Sequence, residues 1–183
     1  MVAAAHIIVA LQTIVSRQTD PRDMAVISVG AIHAGEAPNV IPDRVQMKLT
    51  VRAYRPEVRA ALRERITALV QAQAHTLGVR ADVDYHWRYP VTINDAAMTA
   101  FAERVAREML GDALVIPDLP PGLPSDDFGL MLQQVPGCYF VVGNGRDGEA
   151  GGCPQHNAGY DFNDAILPAT ASYFVRLAQR YLA

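Results

Sequence analysis

Cysteine is nearly absent: the chain carries only Cys138 and Cys153. Two thiols cannot build the disulfide framework on which small secreted scaffolds depend, so the sequence reads as a reduced, cytoplasmic protein. Basic charge is equally sparse. No basic cluster runs longer than "RERI" or "VRAY", and the net charge is −3. Nucleic acid is thereby excluded as a partner, because binding it depends on neutralising many phosphates. Long apolar runs are missing too. The opening "MVAAAHIIVALQTIVSR" is too short and too interrupted to span a membrane, and it lacks the basic lead-in and small-residue cleavage site of a signal peptide.

Most motifs of self-contained active sites are also missing. The histidines are His6, His33, His75, His86 and His156, and no two stand at i, i+4 on one helix. There is no H-E-x-x-H, no H-x-E, no C-x-x-C and no Glu-Glu pair, so no complete zinc site is written in the chain. The absence of G-x-S-x-G removes a serine-hydrolase elbow. "GNGRDGEAGG" lacks the G-K-[ST] ending of a phosphate cradle and reads instead as a mobile loop leading to His156.

What is present is a core. Half of the residues are hydrophobic, enough to bury one fair-sized domain or two small ones. Residues 2–16 repeat Ala3, Ile7, Leu11 and Ile14 at helical spacing. "AVISVGAI" is β-rich. In "VQMKLTVRAY" Val45, Met47, Leu49, Val51 and Ala53 alternate with polar partners, which predicts a strand with one packed face. Pro56 opens a helix whose stripe runs Val58, Leu62, Ile66, Leu69 and is closed by Gly78. "RADVDYHWRYPV" predicts a further strand, with His86 stacked beside Trp87. Residues 1–92 therefore read α-β-β-α-β. One strand placed before residue 1 would complete β-α-β-β-α-β, the ferredoxin-like unit, and the abrupt uncapped start supports that expectation. The alternative is a sheet of three strands.

A second unit, residues 93–183, opens with Asn94 as N-cap of a helix faced by Met98, Phe101, Val105 and Met109. "LVIPDLPPGLPSDDFG" predicts a strand entering a proline-rich loop, and "CYFVVGNG" a buried strand. A last helix is expected from about Asn163 to Leu182, kinked mildly at Pro168. The order α-β-α-β-α is that of an α/β layer fold, and the whole chain is of mixed α/β class.

Few residues could carry chemistry. His156 lies between a glycine-rich stretch and acidic neighbours, in "CPQHNAGYDFND", where a metal ligand and a solvated loop histidine are equally good readings. Cys153 with His156 makes an isolated C-x-x-H, a weak signal for a small metal site. Asp126 and Asp127 suit a helix start capped by Ser125 better than a proton-sharing dyad. Arg52 lies on the polar side of its strand and Asn39 in the loop before it. Together they suit a carboxylate clamp, although a solvated strand face is the commoner fate of a single Arg.

Five stretches occur in an order and spacing that resemble one family: "VAAAHIIVALQTIVSR", "ISVGAIHAGEAPNVIPDRVQMKLTVRAY", "PSDDFG", "VPGCYFVVGNG" and "PQHNAGYDFND". They are similar to the zinc-dependent N-acyl-amino-acid amidohydrolases, the hippurate hydrolases and indole-acetyl-amino-acid hydrolases, metallopeptidases related to carboxypeptidase G and aminoacylase. The resemblance implies that residues 1–92 form most of a ferredoxin-like lid and dimerisation domain lacking its first strand. Residues 93–183 would be the C-terminal portion of a two-metal catalytic domain. It implies that His156 is the last metal ligand. It also implies that Asn39 and Arg52 hold the carboxylate and reacting carbonyl of an N-acyl amino acid, reaching across a homodimer. The cofactor of the complete enzyme would be zinc, manganese or cobalt, with none retained by this chain. The family's other ligands and its general base would lie before residue 1, and Asp126 stands where the family usually has Glu.

The expectation is therefore the C-terminal portion of a metal-dependent amidohydrolase, inactive alone. The alternatives are a non-catalytic dimerising module with an anion site at Arg52, and a small metalloprotein built on Cys153 and His156.

Overall fold

A computed structural model describes residues 1–122 and 125–183. They cluster into two units, Met1–Val91 and Thr92–Ala183. Leu123 and Pro124, within the proline-rich loop expected before Ser125, lie outside the described residues.

The first unit is built on helical and strand periodicity. Helix α1 (Val2–Gln18) buries Ala4, Ile7, Leu11 and Ile14, one stripe at spacings of three and four. Strands β1 (Ala25–His33) and β2 (Gln46–Ala53) form an antiparallel hairpin, with Ala25 opposite Ala53 and His33 opposite Gln46. The register shifts between Val29 and Ala31, so Gly30 stands unpaired at a bulge. Helix α2 (Pro56–Thr76) starts at its proline and buries Leu62, Ile66, Val70 and Ala74. It ends where Gly78 takes a φ of 68°, which lets the amides of Leu77 and Val79 both reach the Ala74 carbonyl. Ile7, Leu11, Ile14, Ile27, Leu62, Ile66 and Val70 make one core, against which Met47, Leu49 and Val51 of β2 pack. Arg55, just before α2, is paired with Asp23 at 3.0 Å, and the Arg65 guanidinium, mid-way along α2, donates to the Gln18 carbonyl at the end of α1.

The strand expected at residues 80–91 does not form. Among the described residues the sheet has two strands. Alternation nevertheless survives: Ala81, Val83 and Tyr85 are half-buried against the core, while Arg80, Asp82 and Asp84 are exposed. A period of two decides which side chains turn inward, but a ladder also needs a neighbour offering N–H and C=O groups at the right spacing. His86 is not stacked on Trp87 as expected. Its ring lies 2.9 Å from Asp84, two residues back on the same exposed side. The Trp87 ring instead meets Tyr85 edge-on at 5.2 Å and lies under the Arg59 guanidinium at 4.7 Å.

In the second unit, helix α3 (Ala96–Leu110) is capped by Asp95, whose carboxylate accepts from the Met98 amide at 2.9 Å, rather than by Asn94. Asn94 has a different task. Its side chain donates to the Tyr139 carbonyl and accepts from the Tyr139 amide, both at 2.8 Å, as a paired strand residue would. Among the described residues, the stretches 115–117 and 138–145 join no sheet, and Val141 is 66% exposed where a buried strand was expected. Helix α4 (Phe128–Leu132) is short. Helix α5 (Leu167–Leu182) follows a single 3-10 turn, Asp164–Ile166. Pro168 therefore falls in the first turn of α5, where its missing N–H has no intrahelical partner to lose, and the expected kink is replaced by a helix start. Helices α3 and α5 bury Ala102, Val105 and Tyr173, and the Tyr173 hydroxyl donates to the Ala102 carbonyl at 2.7 Å. Phe140 packs edge-on to Tyr173 at 5.0 Å.

Candidate functional site

His156 sits in the connection between residue 144 and α5. The connection is a series of closed turns rather than the open mobile loop its composition suggests. The Glu149 amide bonds to the Arg146 carbonyl, Gly152 to Glu149, Asn157 to Pro154 and Tyr160 to Asn157. Asn157 also accepts from the Gly159 amide through its side chain, an Asx turn immediately after His156. Gly151 is needed where it stands. Its φ is 74°, and a Cβ there would run into the Asn144 carbonyl oxygen.

His156 itself has a φ of 69°, in the left-handed region that few residues besides Gly adopt, Asn, Asp and His more often than the rest. It is exposed. An exposed imidazole is chemically able to ligate a metal ion. Among the described residues, no group of three or more His, Cys, Asp and Glu side chains is placed to hold a metal ion. Cys153, a half-exposed free thiol in the same connection, does not complete such a group. The donor set among the described residues therefore does not make up a metal centre.

The acidic pair before α4 is ordered differently from the sequence expectation. The Asp126 carboxylate, not Ser125, accepts from the Phe128 amide, at 2.8 Å. Its other oxygen accepts from the Tyr139 hydroxyl at 3.3 Å. Burial first, then the nearby Asp126 carboxylate, push the Tyr139 phenol above its ordinary range, so the hydroxyl keeps its proton and remains a donor. Asp126 and Asp127 thus serve separately, and no proton-sharing dyad is formed.

Arg52 and Asn39 lie in the first unit. Arg52 is half-buried near the end of β2, opposite Val26. Asn39 is exposed in the turn that joins β1 to β2, at the other end of the hairpin. From Gln46 to Arg52 the strand advances roughly 20 Å. The register therefore places the two residues towards opposite ends of one hairpin.

Sequence reasoning missed two side chains that organise these segments. One is Asn94, read as a cap, which pairs with Tyr139. The other is Asn144, which sits inside "GNGRDGEAGG" and donates to the carbonyls of Gly151 and Asp161 at 2.8 and 2.9 Å. An Asn beside Gly signals a turn but not which distant carbonyls its amide reaches.

The first unit is thus two helices on a small antiparallel sheet, and the second a helical unit whose glycine-rich connection carries His156. Residues 4–180 match the model of peptidase family M20/M25/M40, and the chain belongs to that family. It is 37% identical over 180 residues to a hippurate hydrolase of Campylobacter jejuni, covering 98% of this chain and 46% of that protein. Over 186 residues it is 33% identical to the IAA-amino acid hydrolase ILR1-like 4 of Arabidopsis thaliana, covering 100% of this chain and 42% of the relative. Among solved structures, the Bacillus subtilis YXEP protein, a dinuclear metal-binding peptidase of the M20 family, superimposes with a TM-score of 0.69 at 28% identity, over 97% of this chain and 44% of that one. A Staphylococcus aureus protein superimposes with a TM-score of 0.77 at 25% identity, over 100% of this chain and 46% of its own. The chain spans less than half the length of each of these proteins.

Proposed function

We propose that the chain is the C-terminal portion of a metal-dependent amidohydrolase that cleaves the amide bond of N-acyl amino acids of the hippurate type. The observation that carries this reading is the 37% identity to a hippurate hydrolase across 98% of the chain. The exposed, left-handed His156 supports it locally, as a residue held for a partner that the chain does not supply. In this reading His156 contributes one ligand to a zinc, manganese or cobalt centre. The other ligands and the general base come from polypeptide beyond these 183 residues. Residues 1–92 act as lid and dimerisation domain and residues 93–183 as the return into the catalytic domain. Asn39 and Arg52 bind the substrate, and their places towards opposite ends of the hairpin suit contacts made from two copies of the lid. The unpaired thiols of Cys138 and Cys153 favour a reducing, cytoplasmic setting.

The test is a chimera in which these 183 residues replace the matching part of the Campylobacter hippurate hydrolase. The folded chimera is expected to release glycine from hippurate, and the chain alone is not. His156→Ala is expected to lower the chimera's rate by about a hundredfold or more, since loss of even a ligand's supporting contact costs ~10–100-fold. A folded, metal-loaded chimera without activity would overturn the assignment. One tightly held zinc per isolated chain, lost with His156→Ala, would instead show that the chain completes a site of its own.

A further inference from the structure

We infer that Asn144 is the positioning residue for His156: its side-chain amide closes the connection that carries the histidine and fixes both arms at once. The inference rests on the reading of His156 as a ligand and extends it to the residue that sets its place. Three hydrogen bonds converge on one side chain. Nδ2 donates to the Gly151 carbonyl at 2.8 Å and to the Asp161 carbonyl at 2.9 Å, and Oδ1 accepts from the Asn163 amide at 2.9 Å. Gly151 lies five residues before His156 and Asp161 five residues after it. A five-residue arm reaches at most about 17 Å, so tying both arms to one amide confines the imidazole to a small region.

The chemistry selects asparagine. The position needs two donors and an acceptor at the end of a short stem, a combination that Asp lacks in donors, Ser lacks in number and Gln overshoots. Gly151 and Gly152 leave room for the approach. A Cβ on Gly151 would meet Asn144, and one on Gly152 would meet the Arg146 carbonyl. The tie continues towards α5, because the Asn163 side chain accepts from the Ala165 amide at 3.1 Å where the 3-10 turn begins. No hydrogen bond joins Asn144 to His156 among the described residues, so its effect passes through the backbone.

Residue-resolved amide hydrogen exchange on the whole chain tests this. Asn144→Ala is expected to speed exchange at Gly152, Tyr160 and Asn163 by about tenfold or more, and to move the backbone resonances of His156. The helical amides of Val105 and Tyr173 should keep their rates. Asn144→Asp gives a signature that simple loosening would not. Its carboxyl faces two carbonyl oxygens, which disfavour the charged form and raise its pKa. Protonated, it can donate one bond and accept another; ionised, it repels both carbonyls. Protection in residues 145–162 should therefore be present at low pH and lost as pH rises through that raised value. The charged groups carried on the same stretch and its exit, Arg146, Asp147, Glu149, His156, Asp161 and Asp164, are common to the wild-type chain, whose own pH profile subtracts them. Unchanged exchange in Asn144→Ala, or an equal rise throughout residues 92–183, would overturn the inference.

Zinc titration of the hippurate-hydrolase chimera, followed at the His156 ring nitrogens, separates this result from the ligand reading. Shifts that need about tenfold more zinc in Asn144→Ala support both. Ring resonances unmoved by zinc in the chimera with Asn144 intact would overturn the ligand half, leaving the exchange data to decide the rest.

Discussion

At the scale of single residues, the second unit depends on polar atoms that replace missing backbone partners. The buried Tyr173 side chain likewise finds a partner for its hydroxyl in the Ala102 carbonyl of α3. Burial first, then the nearby Cys138, push the Tyr173 phenol above its ordinary value near 10. Because the folded value lies above the unfolded one, the stabilisation is complete below about pH 10 and is lost as pH rises through the raised value. Tyr173→Phe is expected to cost about 1 kcal/mol at neutral pH and to flatten the alkaline limb of stability, measured by urea unfolding between neutral and alkaline pH. Little of this was legible in the sequence. His156 stood out because its surroundings are glycines and acids, but its left-handed backbone and the Asn144 amide that ties its two arms depend on residues brought together only by folding.

At the scale of elements, the helices were legible and the strands only in part. The stripe Leu62, Ile66 in α2 and the stripe Ile7, Leu11, Ile14 in α1 follow from a period that each helix satisfies by itself, since its hydrogen bonds are internal. Leu62 is fully buried where the two stripes meet. Leu62→Ala is expected to destabilise the first unit by about 2–5 kcal/mol, read as a shift in denaturant midpoint, whereas Glu64→Ala, at an exposed position of the same helix, should move it by less than about 0.5 kcal/mol. The β1–β2 hairpin was legible because both partners lie in one short stretch. Residues 80–91 and 138–145 have strand composition and yet join no sheet, since nothing in the sequence alone supplies the neighbour that a ladder requires. The cap of α3 slipped by one residue, from Asn94 to Asp95, and at α4 the N-cap position is Asp127 rather than Ser125, with Asp126 accepting from the Phe128 amide, because several polar side chains in a row can serve a helix start.

At the scale of the whole molecule, extended apolar segments without a ladder leave large hydrophobic side chains in water. Val141 is 66% and Ile116 73% exposed, well beyond what a packed strand shows. Isolated exposed residues are ordinary, but two unpaired β-prone stretches in one unit invite association. The chain is expected to bind an apolar fluorescent dye while folded and to associate with rising concentration in light scattering. Val141→Lys together with Ile116→Lys should reduce both without lowering helix content. Among the described residues, no helix is long and apolar enough to cross a membrane, so these side chains have no lipid-spanning role in a helix.

The single tryptophan gives this two-unit chain a further property. Trp87 lies in the extended segment of Met1–Val91, half-covered by Tyr85 and the guanidinium groups of Arg59 and Arg63. Indole emission is therefore a private channel for one half of the chain: it registers the departure of residues 81–89 from the face of α2 and is silent about the fate of α3, α5 and the His156 connection. A fluorescence transition that coincides with loss of helical circular dichroism would mean that the two halves melt together. Two separated transitions would assign each melting event to its half without any added label.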